Sequence, residues 1–294
     1  MPFFKDNFPK YANKESSFLT LSTRERIRWT KEEGANLKIR DKKLKVSFLN
    51  VFEQIEEEKA NPKDYLNYIF AKLIALSEKD KVLFERAKAH SKKVATLNIH
   101  LIIKMLEAHF KTEQSSRLPV VAIYAIYEIL LPKFARYKNK RLLPLEVHTS
   151  SDKHGFGDIE VYTTDNKPFE IVEIKHNIQI NKHLIFDIAK KTQKVKIDRY
   201  YILTTSTNGF ESVESEKEVT DYILELKKTQ GIDIIANGII TTLKYYLRFI
   251  DDYQEFVDAY TKNLIKDAKS STEIKNFHLE KWIKILKDNN FSST

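Results

Sequence analysis

Two short alternating segments constrain this chain most: Gly157-Asp158-Ile159-Glu160-Val161-Tyr162 and Phe169-Glu170-Ile171-Val172-Glu173-Ile174-Lys175. The stretch between them, Thr163 to Pro168, is rich in turn formers. The segments therefore read as a β-hairpin of strands 157–163 and 169–175. Side chains alternate along a strand. Ile159, Val161, Val172 and Ile174 then fall on one side, with Tyr162, Phe169 and Ile171 on the other. A sheet that is apolar on both faces needs helices against both. The hairpin thus predicts a three-layer α/β core.

The same alternation places the polar side chains. A loop from Thr163 to Pro168, closed by Tyr162 opposite Phe169, sets Asp158 across from Glu173 and Glu160 across from Ile171. Directly opposed side chains have Cβ atoms about 4.5–5.5 Å apart. A tighter loop, Asp165 to Pro168, sets Asp158 against Lys175 and Glu160 against Glu173 instead. Both registers keep Asp158, Glu173 and Lys175 on one face, whereas a one-residue slip separates the acids. Facing carboxylates repel without a cation nearby. The pattern points to a divalent metal with an activated water, or to Lys175 as a plain counter-ion.

Periodicity supplies the flanking elements. Ser47 to Glu58, Pro62 to Leu76 and Ala95 to Phe110 carry apolar residues at helical spacing, and the charged run Thr23 to Glu33 can begin a helix. Pro119 to Leu131 reads as a buried helix and Leu143 to His148 as a short strand before the hairpin. After the hairpin come a helix at Ile180 to Lys194, a strand at Arg199 to Thr205, a helix at Val213 to Lys228 and a strand at Ile232 to Ala236. A long helical pattern runs from Gly238 to about Lys266, and Glu273 to Lys287 forms a last helix containing Trp282. This suggests a helical region over 1–112, an α/β core over 113–240 and C-terminal helices over 241–294.

Composition narrows the function classes. The 294 residues include no cysteine, which rules out disulfides and thiolate metal sites and fits a reducing cytoplasm. No apolar run approaches the roughly 18 residues of a membrane span, and the N-terminus lacks the apolar stretch of a signal peptide. A net charge of +9 favours a polyanionic partner. The basic segment Lys38 to Lys45 can contact phosphates or simply face solvent. His148, His154, His176 and His183 lie around the hairpin, but their spacing matches no standard zinc pattern.

Asp158 on one strand and Glu173-Ile174-Lys175 on the next, between a preceding helix and a following helix and strand, resemble the PD-(D/E)XK nuclease superfamily over about residues 117–206. The wording Ser116-Arg117-Leu118-Pro119-Val120, Gly-Asp-Ile-Glu-Val at 157–161, Val-Glu-Ile-Lys-His at 172–176 and Arg-Tyr-Tyr-Ile-Leu-Thr-Thr at 199–205 is similar to type II restriction endonucleases. Gly157 stands before Asp158, where the motif's name has proline.

The resemblance implies a restriction-endonuclease-like core, a central mixed sheet flanked by helices. It implies a Mg²⁺-dependent enzyme, with Mn²⁺ able to substitute, that cuts double-stranded DNA at a short sequence. A prokaryotic homodimer with a cognate DNA methyltransferase as genetic partner would follow. Asp158, Glu173 and Lys175 would be catalytic. Asp158, Glu173 and the Ile174 carbonyl would hold the metal, and Glu128, on the preceding helix, would join them. Glu160 is a weaker candidate on the same face. Ser150, Ser151, Lys153 and His176 are candidates for DNA contact. Two alternatives remain: another nuclease of this superfamily acting in repair, as a resolvase or on modified DNA, and a DNA-binding module without catalysis.

Overall fold

The computed structural model describes residues 2–11, 27–39, 41–92, 96–145, 155–270 and 273–289. The chain divides into two units, Met1–Val82 and Leu83–Thr294. No described helix is long and apolar enough to cross a membrane.

The first unit holds α1 (Pro2–Asn7), α2 (Lys31–Gly34), α3 (Lys42–Glu56) and most of α4 (Pro62–Ser91). Asp41 starts α3 by accepting from the Leu44 N–H at 3.0 Å, so half of the basic segment 38–45 is helical. Leu37, Ile39 and Leu49 form a small core under Trp29 and Phe48. The helix expected over 23–33 shrinks to α2. Thr30 caps it, residues 27–30 are non-helical, and residues 23–26 lie outside the described residues. Conversely, α4 continues past Leu76 to Ser91. Charged pairs at helical spacing, Glu78–Lys81 at 2.6 Å and Glu85–Lys88 at 2.7 Å, carry it where the apolar stripe fades.

The second unit is built on a mixed five-stranded sheet flanked by helices, the three-layer α/β arrangement that the hairpin demands. Its strands are β1 (Lys140–Leu142), β2 (Ile159–Thr163), β3 (Pro168–Lys175), β4 (Arg199–Thr204) and β5 (Asp233–Gly238), and they lie in that order. The first three are antiparallel, and β3, β4 and β5 run parallel. Two crossover helices, α7 (Lys182–Thr192) and α8 (Val213–Gln230), join the parallel strands and cover one face. Gly231, at φ 76°, ends α8 in the left-handed region that favours glycine.

The other face packs against α5 (Ile99–Phe110), α6 (Arg117–Leu130), α9 (Ile239–Leu247), α10 (Tyr253–Ser270) and α11 (Asn276–Asp288). Nearly all of α6 is buried. The single long helix expected over 238–266 is two, because Asp252 accepts from the Gln254 N–H at 2.9 Å and starts α10 afresh. His109 lies wholly buried among α5, α10 and α11, bonded to the Tyr260 hydroxyl and the His278 carbonyl at 2.9 Å each and stacked on Trp282. The carbonyl can only accept, so Nε2 carries the proton and Nδ1 accepts from Tyr260.

Two expectations for the sheet are corrected. The strand before the hairpin is Lys140–Leu142, not 143–148. Leu143 still donates to the Glu160 carbonyl at 2.9 Å, and residues 146–148 lie outside the described residues. The hairpin register also breaks near its turn. Val161 pairs with Glu170 but Tyr162 pairs with Pro168, leaving Phe169 as the extra residue of a β-bulge. Phe169 consequently sits edge-on to Tyr137, whose hydroxyl binds Glu170, so it lies with Glu170 and not with Ile171.

Candidate active site

The antiparallel pairing places Ile159 opposite Val172 and Glu160 opposite Ile171, so that Asp158 enters the hairpin beside the Val172–Glu173–Ile174 stretch of β3. The Asp158 N–H donates to the Val172 carbonyl at 2.9 Å, although Val172 already pairs with Ile159, so the register shifts at the entry to β2. Gly157 makes the close approach possible, because a Cβ there would stand 2.5 Å from Ile171 Cγ2 and 2.8 Å from the Val172 carbonyl oxygen. Ile171 and Tyr200 belong to the core beneath α7 and α8, so Asp158, Glu173 and Lys175 face that layer.

Each of the three side chains has a defined position. Asp158 Oδ2 accepts from the Ile174 N–H at 2.7 Å. Lys175 Nζ donates to Glu173 Oε1 at 2.6 Å, with both side chains partly exposed. The Tyr200 hydroxyl lies 2.7 Å from the Phe156 carbonyl and 3.4 Å from Glu173 Oε2. Burial, reinforced by Glu173 and Asp158, pushes the Tyr200 hydroxyl well above the ordinary tyrosine range, so it stays a donor. Glu160 accepts from the Phe156 and Gly157 N–H groups, and Tyr162 also bonds to it. Glu160 thereby ties down the turn that delivers Asp158.

These groups suit a hard divalent cation. Mg²⁺ is typically held by one or two carboxylates and completes its shell with water and substrate oxygens. Asp158 and Glu173 are such a pair. The Lys175 carbonyl accepts from the Thr205 N–H at 3.1 Å on the β4 side. Carbonyls alternate along a strand, so the Ile174 carbonyl turns to the other edge, the one Asp158 occupies. Among the described residues there is no cluster of three or more histidine, aspartate or glutamate side chains that could hold a metal.

The other sequence candidates are dispersed. Glu128 binds Lys262 Nζ at 3.0 Å and Asn263 Nδ2 at 2.7 Å on α10. It belongs to α6, whose core lies on the opposite face of the sheet, so the structure does not bring it to Asp158 and Glu173. The His176 ring lies between Ser115 Oγ at 3.2 Å and Thr205 Oγ1 at 3.1 Å. Ser150, Ser151 and Lys153, with His148 and His154, lie outside the described residues.

The sequence reading passed over two groups. Tyr200 reaches the site only through the β3–β4 register, which pairs it with Ile171 and which no local pattern encodes. Glu170 is completely buried on the opposite face. It accepts from Tyr127 at 2.6 Å, Tyr137 at 2.7 Å and Arg136 at 3.0 Å. An acid among Val172 and Ile174 on an apolar face was the available signal. No family model matches the chain, and no curated protein matches it significantly.

Proposed function

We propose that this chain is a Mg²⁺-dependent endonuclease of the PD-(D/E)XK type, most simply a type II restriction enzyme acting on double-stranded DNA as a homodimer. The observation that carries the proposal is the Asp158 carboxylate on the Ile174 N–H at 2.7 Å, next along β3 from Glu173, whose own carboxylate lies 2.6 Å from Lys175 Nζ. On this reading the core is restriction-endonuclease-like, with α6, the hairpin, α7 and β4 as its elements.

Hydrolysis joins a water oxygen to phosphorus and breaks the bond to the 3′ oxygen, so negative charge grows on the phosphate. The two carboxylates and the Ile174 carbonyl would hold the metal, which when bound would supply Lewis-acid polarisation and a more acidic water. Lys175 orients the attacking water or offsets the growing charge. The Ile174 N–H and the Tyr200 hydroxyl fix the directions of Asp158 and Glu173.

The test is cleavage of unmethylated plasmid with Mg²⁺, repeated with EDTA and with Glu173→Gln or Lys175→Ala. The expected result is discrete fragments that disappear in all three controls. Cleavage that survives the substitutions overturns the site. Random nicking or cutting of branched DNA selects a repair or resolvase role, and metal-independent binding with no cleavage selects a non-catalytic DNA-binding module.

A further inference from the structure

The carboxyl ends of the three parallel strands open into a cleft of about 490 Å³. Open α/β sheets commonly receive ligands outside the carboxyl ends of their strands. Lys111, His176, Thr205, Ser206, Thr207 and Thr241 are among its polar lining. The cleft lies at the carboxyl end of β3, the strand that carries Glu173 and Lys175, with its α5 and α9 walls on the opposite face of the sheet from those side chains. Lys175 pairs with Thr204, and the next residue, His176, turns its ring to Thr205.

The lining has donors to spare. Among the described residues, the Ser206, Thr207 and Thr241 hydroxyls and the Lys111 ammonium have no hydrogen-bond or ion-pair partner. Lysine and hydroxyl side chains are the groups that hold the phosphates and sugars of nucleic acids. Glu107, one turn before Lys111, also lines the cleft and offsets its charge. That balance suits a singly charged phosphodiester with its sugar better than a doubly charged terminal phosphate. We propose that this cleft holds the phosphodiester and sugar adjacent to the one at Asp158 and Glu173, so that a single strand crosses the carboxyl edge of the sheet. This inference rests on the nuclease reading for its ligand class.

Phosphate contacts do not read sequence, so a duplex of arbitrary sequence serves as the probe. The experiment measures fluorescence anisotropy of a labelled duplex with the full chain carrying Glu173→Gln, in Mg²⁺. Thr241→Trp, at an exposed position, fills the cleft without changing charge. It should weaken binding about tenfold, a loss of roughly 1.4 kcal/mol. Lys111→Ala should weaken binding several-fold and lower the salt slope by about one. Lys281→Ala removes the same charge from an exposed position on α11 and should leave binding unchanged.

Thr241→Trp and Lys111→Ala binding like their parent, while wild type still cuts plasmid, overturns this inference alone. Cleft-dependent binding without cleavage by wild type keeps the inference and sinks the nuclease reading. Absence of both binding and cleavage sinks both.

Discussion

Tyr200 and Glu173 show how one side chain can position another. The Tyr200 hydroxyl holds the Phe156 carbonyl and approaches Glu173, so it braces both ends of the hairpin site. Tyr200→Phe should cost about 1 kcal/mol of stability. It should also lower kcat of cleavage about tenfold by loosening Glu173, an effect read by comparing kcat with KM. On the opposite face, Glu170 is a buried anion that Arg136, Tyr127 and Tyr137 jointly satisfy. Burial and the Glu170 charge raise the pKa of both tyrosines, so their hydroxyls remain donors. Glu170→Ala leaves two buried phenols without their acceptor, while Arg136 keeps Asp198 at 2.7 Å, and should destabilise the chain by roughly 2–5 kcal/mol in urea titration. A stability loss below about 1 kcal/mol would show that the acid is not needed there. The placement of Asp158 near the end of β3 that carries Glu173 was legible from strand alternation. Glu128 was not, because an acid at a helix end gives no sign of which face of a sheet it will meet.

At the scale of elements, the hairpin was readable as far as its bulge. The pairing of Ile159, Glu160 and Val161 follows from alternation and the longer loop. Phe169 departs from it because a bulge costs no apolar burial: its ring finds Tyr137 and the Arg136 guanidinium on the other face. The edge strand β1 was misplaced for a related reason. Lys140-Arg141-Leu142 has the charged character that protects a sheet edge, and so lacks an apolar alternation to read. The entry to β2 is the tightest point. Gly157→Ala forces a Cβ against the Val172 carbonyl and should displace Asp158. Plasmid cleavage should fall by at least tenfold, with a stability loss of about 1–3 kcal/mol. Wild-type activity in that variant would mean the hairpin entry has slack that the geometry does not suggest.

The molecule as a whole should respond to acid through His109. Burial lowers its pKa to about 3, against roughly 6.5 when unfolded. In that window the unfolded chain binds a proton that the folded chain refuses. The stability contribution is therefore complete above about pH 6.5 and is lost as pH falls towards 3, by up to about 1.4 kcal/mol per pH unit. Urea unfolding of the second unit at pH 7.5 and pH 5 should differ by roughly 2 kcal/mol from this group. His109→Gln should flatten the dependence, and an unchanged slope in that variant would assign the acid sensitivity elsewhere. Such a burial was hidden in the sequence, since a histidine at a helical spacing reads equally well as a surface residue until α10 and α11 close over it.

The chain has two tryptophans, and they fall one to each unit. Trp29 packs edge-on against Phe48 and Phe52, whereas Trp282 is sealed between Tyr260 and His109. The protein therefore carries its own pair of optical labels. Replacing either indole with phenylalanine leaves a single emitter, so the melting of each unit can be followed by its own colour, without a dye or an engineered probe.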